Sequence, residues 1–207
     1  MLDVTASGRK MRVLDFDIEC RPIAWYGGDF VTKQPTAIAW KVIGSSRLKV
    51  AVIGESDRSS LVLEEEMAMI EAFRKAYDDA DMVTGHYIRG FDLPVLNGAC
   101  IRLGLPMLGE KLTQDTKLDF AKRSGMSTSQ ENLGAMFELA HPKVGMNTAL
   151  WARGNMLLPD GIVTTKKRVK GDVRQHIELR EKMLEAGVLA QPRNWLPGGL
   201  GVGNYHS

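Results

Sequence analysis

Between Arg12 and Cys20 the chain alternates strictly, with Leu14, Phe16, Ile18 and Cys20 apolar and Asp15, Asp17 and Glu19 standing between them. A period of two belongs to a β-strand, whose successive side chains point to opposite faces of a sheet. One face of this strand therefore belongs in a core, while the other presents three carboxylates in file. Asp17 and Glu19 project from that face with their side-chain bases roughly 6–7 Å apart, and a pair so placed suits hard cations.

The neighbouring patterns build a sheet around this strand. Thr36 to Ile43 and Arg47 to Ile53 are β-rich and are separated by Gly44, Ser45 and Ser46, which supply hairpin turn chemistry. The opening is thus expected to be a three-stranded antiparallel meander. From Leu61 to Ala80 the period changes, with Leu63, Met67, Ile70, Phe73 and Tyr77 three or four apart, as an amphipathic helix requires. Asp81 to His86 reads as a short strand, and Pro94 suits the first turn of a helix ending near Gly104. Alternating strand and helix predicts parallel additions to the meander and hence an α/β fold with a mixed sheet. Beyond Gly109 the pattern is broken but mostly helical, with candidates at Leu118–Lys122, Glu131–Leu139 and, most clearly, Lys167–Ala186.

A chain of 207 residues with 44% hydrophobic composition is long enough for one substantial core. The expected organisation is a disordered N-terminus over 1–10, one domain over 11–187, and a loosely ordered tail over 188–207, where proline and glycine dominate. The net charge of +2 neither demands nor excludes a polyanionic partner. Cys20 and Cys100 form no CxxC pair and are too few for a disulfide framework, so a reducing interior is the default. No apolar run approaches the length of a membrane span, and the expectation is a cytoplasmic protein with no membrane anchor.

Two further acids stand out. Asp92 lies in GHYIRGFDLPVL, residues 85–96, where a strand runs into a helix, and Asp172 lies in KKRVKGDVRQHIEL beside Lys166, Lys167, Arg168 and Lys170. Each has a plain structural reading: Asp92 as the N-cap of a helix beginning at Pro94, Asp172 with Gln175 as a capping box, and the basic run as a solvated helix face. Asp15 shares the face of Asp17 and Glu19 and is the alternative partner in a carboxylate pair. Met67, Met69, Met136, Met146, Trp40 and Trp151 read as core filler, and Asp115 and Asp119 as structural.

DFDIEC, GHYIRGFDLPVL and KGDVRQHIEL, in that order over about residues 12–182, resemble the three exonuclease motifs of the DEDD superfamily. The sequence is most similar to the exonuclease domain of family B DNA polymerases and its free-standing phage and bacterial relatives. The resemblance implies a ribonuclease H-like fold and 3′→5′ hydrolysis of DNA, preferably single-stranded. It implies that Asp17, Glu19, Asp92 and Asp172 bind two divalent ions, Mg²⁺ or Mn²⁺, roughly 3.5–4 Å apart, which activate the attacking water and stabilise the leaving 3′ oxygen. Phe91 would border the terminal base, His86 would line the cleft where relatives carry asparagine, and Lys167, Arg168 and Lys170 would track phosphates. A replication or recombination protein is the partner such enzymes serve.

The sequence departs from the family at one functional position. Relatives place a tyrosine four residues before the last aspartate, or a histidine five before it, to orient the water; here those positions hold Arg168 and Lys167. Arginine stays protonated and cannot act as a base, although it can donate to a phosphate or a water. His176, one helical turn after Asp172, is the candidate substitute. Two other functions stay open at this point: a non-catalytic nucleic-acid-binding module on the same fold, and a two-metal endonuclease or resolvase.

Overall fold

A computed structural model of the chain describes residues 8–25, 31–56, 59–120, 125–141 and 143–197. The alternating segment becomes β1 (Val13–Trp25), the hairpin partners become β2 (Val31–Val42) and β3 (Leu48–Val52), and the 3.6-period segment becomes α1 (Val62–Asp78). There follow β4 (Met82–Gly85), α2 (Asp92–Leu103), β5 (Lys111–Asp115), α3 (Gln130–Met136), α4 (Thr148–Asn155), α5 (Pro159–Glu185) and β6 (Arg193–Trp195).

The strands form one sheet in the order β3-β2-β1-β4-β5-β6. β1 and β2 pair antiparallel, as do β2 and β3, so the expected meander forms. β4 joins β1 in parallel and β5 joins β4 in parallel, while β6 closes the edge antiparallel to β5. A meander extended by parallel strands and flanked by helices is the ribonuclease H-like arrangement that the motifs implied.

The two faces of β1 serve different ends. Leu14, Phe16 and Ile18 enter the main core with Ile70, Phe73 and Tyr77 of α1 and Leu93 and Leu96 of α2. Phe16 and Phe73 stack with ring centroids 4.8 Å apart, and Trp40 meets Phe73 edge-on at 5.9 Å. Burying such rings contributes more than area alone, because tilted and edge-on pairs add about 0.5–1.5 kcal/mol each. On the opposite face Ala37 and Ala39 of β2 pack with Val169 and Val173 of α5, and their small size lets the helix approach the carboxylate side of β1. Phe120, Leu133, Leu179, Met183 and Leu189 form a third cluster that holds α3 and the segment after α5 against the lower half of that helix.

Several local expectations are corrected. Residues 118–120, expected to begin a helix, form a turn and a bridge to Leu189, while 121 and 122 lie outside the described residues. β5 was not anticipated. Its residues KLTQD look polar, yet Thr113, Gln114 and Asp115 are all fully buried because each finds hydrogen-bond partners. α5 starts eight residues before the expected Lys167, at Pro159 in the first helical position, where the missing N–H costs nothing. Leu63 and Met136, read as apolar-face and core residues, are exposed.

At the termini, Arg9 lies in the segment expected to be disordered but pairs with Asp81 at 2.7 Å. β6 lies in the segment expected as a tail, and Gln114 reaches the Ala190 carbonyl there. The expectation for 198–207 falls outside the described residues. Among the described residues no helix is long and apolar enough to cross a membrane.

Candidate metal centre and nucleic-acid cleft

The carboxylate file of β1 faces a matching file on α5. Two strand residues advance about 7 Å and four helical residues about 6 Å, so the two stripes stay in step along their length. They run in opposite directions: Arg168 meets Glu19, Asp172 meets Asp17, and His176 meets Asp15. Asp172 therefore sits deep inside α5 and caps nothing, which replaces its capping-box reading.

Asp92 reaches the same place from the other side. After β4 the chain turns so tightly that a Cβ on Gly85 would lie 2.2 Å from Ile88 Cγ2 and 2.8 Å from the Phe16 carbonyl oxygen. Tyr87 adopts the left-handed conformation at φ 71°. The Asp115 carboxylate pins this turn, accepting N–H bonds from Tyr87 and Arg89, each 3.0 Å, as well as from Lys117 and Leu118. Asp115 and Asp119 are structural, as expected, with Asp119 paired to Arg89 and Arg193. α2 begins at Asp92 itself, one turn position earlier than a cap at that residue allows, and the Asp92 carboxylate accepts the Ile18 N–H at 3.2 Å.

All four acids line one cleft of about 280 Å³ between β1, the start of α2, the start of α3 and α5. One oxygen each from Asp17, Glu19 and Asp172 lies within 4.8 Å of the others, a spacing that can hold a metal ion. Among the described residues Asp172 Oδ1 is buried without a hydrogen-bond partner, so its lone pairs are uncompensated. An all-oxygen donor set with no histidine or cysteine fits Mg²⁺ or Mn²⁺ better than zinc.

Burial first, and mutual crowding second, raise the proton affinity of the acids. Burial, followed by the charges of Asp92, Asp172 and Glu19, holds the Asp17 carboxyl well above its usual range. Burial pushes Glu19 up to about 7, against the opposing pull of Arg168, and Asp92 up to about 8, against its backbone N–H bonds. Burial also raises Asp172, with Lys143 and Arg168 opposing. These acids thus bind more protons in the folded metal-free protein than in the unfolded chain from about pH 4 to about pH 8, and they outnumber His86, which acts in the opposite sense. Their contribution to stability falls as pH rises through that window. In EDTA the melting temperature is expected to drop between pH 5 and pH 8; added Mg²⁺ should restore it at pH 8 and change little at pH 5. A flat profile in thermal melts would contradict a crowded acidic site.

The remaining expected site residues divide. Phe91 and His86 line the cleft, with Lys33 Nζ 4.5 Å above the Phe91 ring. His86 Nδ1 lies 3.0 Å from Thr116 Oγ1, and burial pushes this imidazole down to about 3, so it is neutral. Lys167 and Lys170 lie outside the cleft lining; Lys167 is exposed, and the neighbouring Lys166 pairs with Glu55. The lysines that do line the cleft are Lys117 and Lys143, neither of which the sequence singled out. Tyr87 was missed as well: its exposed ring carries Lys117 Nζ at 4.2 Å. His176 is almost fully buried, with Nδ1 2.5 Å from Asp15 Oδ2 and Nε2 2.9 Å from Thr116 Oγ1. Neither His176 nor Asp15 lines the cleft, and both ring nitrogens of His176 are engaged by Asp15 and Thr116.

Arg168 is in the site but paired. Its Nε donates to Glu19 Oε1 at 2.8 Å, its Nη1 donates to the Val144 carbonyl at 2.6 Å, and its guanidinium lies 5.2 Å from the centre of the Trp151 ring. Trp151, read as core filler, is instead the platform under this arginine.

No protein-family model matches the sequence, and no curated protein matches it. Among solved structures, the chain is similar to the family B DNA polymerase of the hyperthermophilic archaeon Pyrobaculum calidifontis, with a TM-score of 0.59 and 20% identity. The likeness is one of fold. It covers 86% of this chain and 25% of the polymerase, so the chain spans about a quarter of that protein's length.

Proposed function

We propose that this protein is a divalent-metal-dependent 3′→5′ exonuclease acting on single-stranded DNA. The observation that carries the reading is the convergence of Asp17, Glu19, Asp92 and Asp172, from three separate elements, on one cleft. Four acids gathered at the expense of their own ionisation are costly to folding, and a bound cation offsets that cost. The fold-level neighbour is itself a DNA polymerase, which favours a nucleic-acid substrate by analogy only.

The cleft's rim suits an unpaired strand. Phe91 with Lys33 and Tyr87 with Lys117 each offer an aromatic ring beside an ammonium group, a combination that stacks a base and attracts the adjoining phosphate. A bound divalent ion would polarise the scissile phosphate and make water a stronger nucleophile. Asp17, Glu19 and Asp172 would hold it, and Asp92, fixed by the Ile18 N–H, would complete the anionic wall. Arg168 would donate to charge developing on the phosphate. The water oxygen would bond to phosphorus as its proton passes to solvent, the bond from phosphorus to the 3′ oxygen would break with that oxygen taking a proton from solvent, and a nucleoside 5′-monophosphate would leave.

The test is incubation of 5′-labelled linear and of circular single-stranded DNA with Mg²⁺, Mn²⁺ or EDTA. A metal-dependent ladder that shortens linear DNA from its 3′ end and spares the circle is the expected result. Cleavage of the circle would replace the reading with an endonuclease. Binding without cleavage under every condition would favour the non-catalytic module, for which the engaged Arg168 is the specific support. A replication or recombination protein as partner belongs to the same proposal.

A further inference from the structure

Arg168 stands where relatives of the resembled family carry a neutral water-orienting residue, and its position bears on how many ions the site takes. The guanidinium is fixed from three sides: by Glu19 Oε1, by the Val144 carbonyl and by the face of Trp151. Its Nε also lies 3.6 Å from Asp172 Oδ2, so the positive group sits between two of the carboxylates that would otherwise share a metal. The side chain is 12% exposed, and swinging it out would strand a carbonyl and forfeit the indole face.

We propose that Arg168 is a permanent internal cation that takes the place of one of two divalent ions, so that the site binds a single ion. This rests on the exonuclease reading above and refines its cofactor. Three observations support it. Among the described residues the compact oxygen set comprises Asp17, Glu19 and Asp172, within 4.8 Å, and Asp92 stands outside it. The second oxygen of the nearly fully buried Asp172, Oδ1, has no hydrogen-bond partner among the described residues, which leaves a ligand atom for one ion. A second dication, placed at the Glu19 Oε1 that Arg168 already occupies, would face that fixed charge at close range in a poorly solvated cleft, where like charges repel strongly. In this arrangement Arg168 neutralises Glu19 and remains a hydrogen-bond donor to substrate, a role a guanidinium fills without giving up a proton.

The experiment counts ions on the full chain. Mn²⁺ is titrated at neutral pH into wild type, Arg168→Met and Arg168→Gln, with bound and free ion separated by electron paramagnetic resonance and folding checked by circular dichroism. One ion on wild type and two on either folded variant is the expected result. Two ions on wild type would overturn the inference and leave the metal-dependent reading intact, as would one ion on wild type and on both folded variants. No bound Mn²⁺ on wild type would remove the metal site itself, and with it both conclusions; the labelled-strand assay in EDTA distinguishes that failure from the others. Should both variants misfold, a wild-type count of two still overturns the inference by itself.

Discussion

Asp17→Asn is expected to abolish metal-dependent trimming while making the metal-free protein harder to melt. The carboxylate sits among Asp92, Glu19 and Asp172, and its proton affinity is raised by burial and by those three charges. Asparagine keeps the shape and removes one of the repelling charges. At pH 8 without metal this should stabilise the fold by about 1 kcal/mol, or roughly 2–4 °C in a protein of this size. Activity should fall by at least about a thousandfold, because a metal's stabilisation of the transition state amounts to several kcal/mol and each 1.36 kcal/mol is a factor of ten. The two effects have opposite signs, which is what separates a ligand from a structural acid. Cleavage within tenfold of wild type, or a lowered melting temperature in EDTA, would sink the assignment of Asp17.

His176→Leu should do the reverse, costing stability with little direct effect on chemistry. Asp15 is fully buried, its Oδ2 bonded to His176 Nδ1 and its Oδ1 without a partner among the described residues. Removing one member of a buried pair costs about 3–5 kcal/mol, since the other is left unsatisfied. Burial already raises the Asp15 carboxyl, opposed chiefly by His176, and loss of that imidazole leaves the carboxyl protonated or strained. Replacing both, as Asp15→Leu/His176→Leu, should recover part of the loss, since an apolar pair needs no partner; a double-mutant cycle by urea unfolding reads the coupling. If the single variant melted like wild type but lost cleavage, His176 would have to be returned to the catalytic machinery.

The parts of the fold that announced themselves in the sequence are those whose periodicity has one cause. β1 alternates because one face is core and the other presents its carboxylates to α5, and the apolar spacing of α1 reflects a single buried stripe. β5 was illegible because its buried residues are polar and satisfied by partners far along the chain, such as the Arg180 side chain on Gln114 and the Arg193 carbonyl on Thr113. No local pattern encodes a partner that lies 66 or 80 residues away. The four acids could be picked out because their motifs are local phrases. The rest of the cleft could not: Tyr87 depends on a left-handed turn held by Asp115, and Lys143 and Trp151 arrive from segments with no signature of their own. The basic run around Arg168 misled in proportion to its conspicuousness, since Lys167 and Lys170 stay outside the cleft and Arg168 turns inward to meet Glu19.

The stepwise match between β1 and α5 joins residues 149 positions apart at Glu19 and Arg168, and 161 apart at Asp15 and His176. Contacts so remote in the chain form only after the intervening loop has closed. During synthesis the β1 carboxylates emerge 149 residues ahead of their counterpart on α5. Until then no ligand set exists. A site of this design is assembled in a single late event, the docking of one helix.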